Sequence, residues 1–156
     1  MSFEEFFGTD EEINASHYSE EAVSEDALSR YKNIESVRFQ AAVAGTTFVK
    51  TNEKVLPFLR FRTNPKDIIL MFEREKDNPY DKNAVVVKVT VRKDNGKLSD
   101  KVYKVGYVEK GKAPVIAEVL DNPKKYKMEV TEVLLFGGEN EKKNIGIRFS
   151  FTIKEI

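Results

Sequence analysis

The sequence predicts a mainly β protein, a small closed or nearly closed barrel of six strands with one helix between the fourth and fifth, preceded by an acidic amino-terminal extension. Three observations lead there. Short runs rich in Val, Ile, Phe and Tyr recur between turn residues, as in a compact β domain. Helical crossovers between successive strands are missing, which argues against a doubly wound parallel sheet. The charge is also divided: residues 1–40 hold ten acidic and three basic side chains, the remaining 116 hold 16 acidic and 23 basic, and the net charge is zero. With 156 residues, 40% hydrophobic and 33% charged, the chain has room for one domain with a real core and an appendage.

The extension spans residues 1–36 and the barrel residues 37–156. In the extension, "SEDALSRYKNI" reads as a short helix capped by Ser24, with Glu25 and Asp26 in its first turn and Ala27, Leu28 and Tyr31 on one side. Phe3, Phe6 and Phe7 call for burial, so the extreme start reads as a docked segment. The first strand is "ESVRFQAAVAG", ending at Gly45; the second is "KDIILMFERE", the third "NAVVVKVTV" and the fourth "KVYKVGYV". Asn95-Gly96 between the last two is a hairpin signal, because both residues tolerate positive φ, and it makes them antiparallel neighbours. "GKAPVIAEVLDN" then changes period. Pro114 suits a first helical turn, Val115/Val119 and Ile116/Leu120 stand at i, i+4, and Asn122-Pro123 stops the helix. "KYKMEVTEVLLF" and "KNIGIRFSFTIKEI", joined through the polar loop "GGENEK", complete the six strands.

Composition excludes several kinds of chemistry. Without cysteine there is neither a disulfide framework nor a thiolate zinc site, and a single histidine, His17, leaves no basis for imidazole ligation or a Ser-His-Asp triad. No Gly-rich phosphate loop of the ATPase kind occurs. The start lacks the basic and apolar pattern of a signal peptide, and no segment is long and apolar enough to span a bilayer, so the chain reads as cytoplasmic, with no membrane partner.

The least generic stretch is "REKDNPYDKNAVVV", from Arg74 to Val87. Taken with "VAGTTF" before it and "KVGYV" leading into a helix after it, it resembles the HIRAN domain family over residues 37–136, continuing to the carboxyl end; residues 1–36 lie outside the resemblance. Its specificity rests on "NPYDKNA". In bacteria the family occurs as a small separate protein, the type this chain resembles, and in eukaryotic DNA-repair proteins it is fused to helicase-type motors. The resemblance implies an OB-like barrel that binds the free 3′ end of single-stranded DNA, acts in DNA repair or replication, and has a helicase or other repair protein as a partner. Carried over, Tyr80 stacks on a terminal base and Asp81 accepts from the 3′-hydroxyl. Phe48 stands where the family's groove has a tyrosine, and Lys110 where a lysine meets phosphate. Thr47 stands where the pattern has an arginine, Tyr107 where histidine can occur, and the "GGENEKKNIG" loop offers no equivalent of a later base-stacking phenylalanine.

The residues support this reading on physical grounds. Single strands are held by aromatic faces and by cations that follow the phosphates. Pro79 restricts the loop that presents Tyr80. A carboxylate at Asp81 repels phosphate, so its place in such a groove makes sense for a strand end that carries a hydroxyl. Lys110 and Lys112 stand at the start of the helix, where outward amides can receive a phosphate, and Arg74 and Lys82 flank the turn as further phosphate contacts. The alternatives are plain: the Asn78–Asp81 segment as a simple β-turn, Phe48 as core, and the lysines as solvated surface. Lys124, Lys125 and Lys127 read as edge protection. A Mg²⁺ nuclease built on Glu73, Glu75 and Asp81 with Lys76 or Lys82 lacks a third carboxylate on an adjoining strand. The expectation is a non-catalytic module for single-stranded DNA without cofactor or metal. The other reading is a protein-interaction module using the same groove or the barrel edge, regulated by the acidic extension; that extension could also compete with nucleic acid for the basic body or cover an apolar patch.

Overall fold

The computed structural model describes residues 27–140 and 144–156. The expected cap at Ser24, the aromatic start at Phe3, Phe6 and Phe7, and His17 lie outside them. Six strands follow in order: β1 (Phe39–Ala44), β2 (Ile68–Arg74), β3 (Val85–Val91), β4 (Tyr103–Val108), β5 (Tyr126–Phe136) and β6 (Gly146–Glu155). They form one sheet in the order β2-β3-β4-β1-β6-β5, with every neighbouring pair antiparallel. The sheet curls into a nearly closed barrel. Its two edges, β2 and β5, face each other across a cleft lined by Ile68, Leu70 and Phe72 on one side and Met128, Val130 and Leu134 on the other.

The runs of β-branched and aromatic residues build the interior. Val85, Val87, Val89, Val105, Ile147, Phe151 and Ile153 are buried, and Phe39 stacks on Phe151 with ring centroids 5.1 Å apart. Each such side chain contributes about 1.5–3 kcal/mol by leaving water. Gly96 takes φ 82° in the β3–β4 hairpin, the conformation expected of the Asn95-Gly96 turn. The helix foreseen after β4 spans Ala113–Asp121 and contacts β2, β3 and β5, so it bridges the two sheet edges. It ends as expected, with the Asn122 N–H donating to the Val119 carbonyl.

A second helix, Asn52–Arg62, stands between β1 and β2, where the sequence reading placed nothing. In chain order it is α1, and Ala113–Asp121 is α2. Its interior Pro57 breaks the usual pattern, and its apolar residues face both ways: Leu56 and Leu59 are buried, while Phe58 and Phe61 are 49% and 58% exposed. A helix with rings on its outer face shows no clean 3.6-residue stripe. Ahead of β1, Ala27, Leu28 and Ile34 join the core, the Leu28 N–H donates to Glu118 Oε1 at 2.9 Å, and Tyr31 meets Phe39 edge-on. Described residues at the end of the extension are thus packed on the barrel.

Candidate nucleic-acid interface

Val86, Tyr107 and Ala44 are cross-strand partners on β3, β4 and β1. The three candidate segments leave the barrel around this line. Asn78–Asp81 precedes β3, Lys110–Lys112 follows β4, and a 3-10 turn, Thr46–Phe48, follows β1 after Gly45 at φ 74°. Topology alone therefore gathers residues separated by more than sixty positions onto three adjoining strands.

The Asn78–Asp81 turn is held by its own first residue. Asn78 Oδ1 accepts from the backbone N–H groups of Tyr80 at 2.8 Å and Asp81 at 3.0 Å, an Asx arrangement that fixes both following residues. Asn78 Nδ2 donates to Glu75 Oε1 at 3.0 Å, and the Tyr107 hydroxyl donates to the same oxygen at 2.9 Å. Lys104 Nζ in turn donates to the Tyr107 hydroxyl at 3.1 Å and lies 4.5 Å from the centre of its ring. Asp81 Oδ1 accepts from the Asn83 N–H at 2.9 Å, which orients the carboxylate, and the Glu75 N–H closes the loop onto the Ala84 carbonyl. Tyr80 and Asp81 are both half-buried, with part of each side chain at the surface.

Arg74 has a different place from the phosphate contact expected of it. Its guanidinium, with the side chain only 13% exposed, pairs with Asp121 through Nε at 2.9 Å and donates to the carbonyls of Ala84 and Lys82. It braces the return of the loop against the end of α2. Lys82 is exposed on that loop, and Thr47 is exposed beside half-buried Phe48, so the phenylalanine is not a full core residue. Lys110 and Lys112 are half-buried. Of the amides around them, the N–H groups of Lys112 and Ala113 both donate to the Glu109 carbonyl, and Pro114 has none. Glu109 itself faces inward, its carboxylate accepting from the Ala42 N–H.

Tyr107 is 7% exposed and packs with Ala84 and Val86 in a small cluster apart from the main core. Burial, its hydrogen bond to Glu75 and that residue's negative charge push the phenol up to about 12, so it stays a donor at neutral pH. It acts on the turn through Glu75. Asn83 was not among the sequence candidates, Asn78 was weighed only as the start of a turn, and Glu75 only as a metal carboxylate; Asn before Pro is a turn signal that marks Asn78, but nothing local marks Glu75 as a partner of Tyr107. Glu73 pairs with Lys88, and among the described residues no three acidic or histidine side chains converge on a metal-sized site.

Residues 36–154 match the family model described as HIRAN domain. No curated protein and no solved structure matches the chain. With the family model covering most of its length, the chain belongs to the HIRAN domain family.

Proposed function

We propose that this HIRAN-family chain is a non-catalytic nucleic-acid-binding module, that it takes single-stranded DNA, and that the Asn78–Asp81 turn receives the 3′-hydroxyl end in DNA repair or replication. The observation that carries the reading is the double grip of Asn78 Oδ1 on the amides of Tyr80 and Asp81. A turn held this way presents a ring and a carboxylate side by side with little conformational entropy left to lose on binding. The ring offers a stacking face. The oriented carboxylate accepts from a hydroxyl and repels a phosphate, which is the chemistry of a strand end. Thr47, Phe48, Lys82, Lys110 and Lys112 extend the surface around this point, the lysines as charge for the phosphates.

Titration with short strands ending in a 3′-hydroxyl or a 3′-phosphate tests the assignment. The hydroxyl end binds more tightly to the intact chain, and Asp81→Asn narrows the difference. Tyr80→Ala weakens both by about 1–3 kcal/mol with an unchanged melting temperature. Unchanged affinity in Tyr80→Ala together with a lower melting temperature would leave the segment as a turn and nothing more.

A further inference from the structure

Thr46 and Thr47 also line a second feature. An open pocket of about 430 Å³ is lined by Thr46, Thr47, Asn52, Glu53, Phe61, Gly138 and Ile145, so it lies between α1 and the described residues that follow β5 and precede β6; exposed Glu53 contributes a carboxylate that phosphates must avoid. Phe61, 58% exposed, forms part of its wall. The ring abuts Gly138, where an added Cβ would lie 3.3 Å from Phe61 Cζ. Behind it the Arg60 guanidinium lies 5.2 Å from the ring centroid, and Arg60 Nε donates to the Gly137 carbonyl. An exposed ring backed by a cation, followed in the chain by exposed Arg62, is a pairing that can hold a base and its phosphate together.

The pocket's other wall is rigid for a clear reason. Asn52, 5% exposed, donates from Nδ2 to the carbonyls of Thr46 and Val105, which ties the 3-10 turn to β4. Its Oδ1 is the buried side-chain atom among the described residues that has no hydrogen-bond partner. A buried acceptor left unmade is unfavourable.

We infer that Phe61 is a second stacking platform, taking a nucleobase of the same single strand after it has crossed Thr47 and Phe48. This rests on the reading of the Tyr80 turn as the strand-end site, and adds to it a direction and a length. A strand fixed at its 3′ end by Tyr80 and Asp81 runs 5′-ward over Thr47 into the pocket, so strands too short to span the two rings gain nothing from Phe61. The occupant is committed by continuity, since Thr46 and Thr47 belong to both the candidate interface and the pocket.

Affinities of the full chain for oligothymidine strands of two and ten nucleotides, measured at one low salt concentration, test the inference in the intact protein, Tyr80→Ala and Phe61→Ala. Phe61→Ala binds the short strand like the intact protein and the long strand roughly 5- to 150-fold more weakly. Phe61→Trp keeps the long-strand affinity, because it keeps a stacking face. Equal long-strand affinity in Phe61→Ala and the intact protein overturns the inference while leaving the Tyr80 site intact. A loss in Phe61→Ala with none in Tyr80→Ala overturns the Tyr80 reading and its directional path together, and absence of binding by the intact chain at both lengths overturns both proposals.

Discussion

Tyr107 donates to Glu75, Glu75 accepts from Asn78, and Asn78 holds the amides of Tyr80 and Asp81, so a phenol on β4 steadies a turn that is distant in sequence. The arrangement depends on one proton. Tyr107 is pushed up to about 12 in the folded chain, above its ordinary value of 10.0. A group raised on folding contributes stability that is complete below its unfolded value and is lost as pH rises through the folded one. Tyr107→Phe should therefore lower stability at neutral pH by about 1.5–3 kcal/mol, the scale of a hydrogen bond to a charged acceptor. The gap between variant and intact chain should close between pH 10 and pH 12 in parallel denaturant titrations. A gap that does not change over that interval would mean that the phenolic proton does not matter to the fold. Tyr80 and Asp81 could be singled out from sequence because they stand in one short motif. The bracing role of Arg74 could not, since its partner Asp121 lies 47 residues away and only folding brings them together.

The β strands were legible because Val, Ile and Phe dominate them and Asn95-Gly96 sets the β3–β4 register locally. The long β5–β6 pair even carries a register shift between Val130 and Glu132 without obscuring the pattern. Helix α1 was not legible, because Pro57 interrupts it and Phe58 and Phe61 point outward. The start of α2 shows the limit of reading charge from sequence. Two lysines there suggested a phosphate site built from charge and backbone amides, and the Glu109 carbonyl takes the amides of Lys112 and Ala113, while the lysine side chains act as screened charges in the proposed reading. Replacing Lys110 and Lys112 together by Ala should accordingly reduce the slope of log affinity against log salt by about 1 to 2, without altering base preference. A slope equal to that of the intact chain would remove this helix end from the strand's path.

At the scale of the whole molecule, the barrel brings the ends of three strands to one line, and an acidic extension precedes a body in which basic residues outnumber acidic ones. The packing of Leu28 and Ile34 into the core and the Leu28–Glu118 hydrogen bond join the end of that extension to the barrel. Among the described residues no helix is long and apolar enough to cross a membrane. In the proposed reading the Tyr80 turn and the neighbouring lysines take unpaired bases, since a duplex keeps its bases stacked on one another and offers none to a protein ring. The most direct measurement is the affinity of the full chain for a ten-nucleotide single strand of DNA, for its duplex and for the matching RNA, at one salt concentration, repeated with Tyr80→Ala. The account predicts the tightest binding for single-stranded DNA and loss of most of its advantage over the duplex in the variant; equal or tighter binding of the duplex, or an advantage that survives Tyr80→Ala, would contradict it.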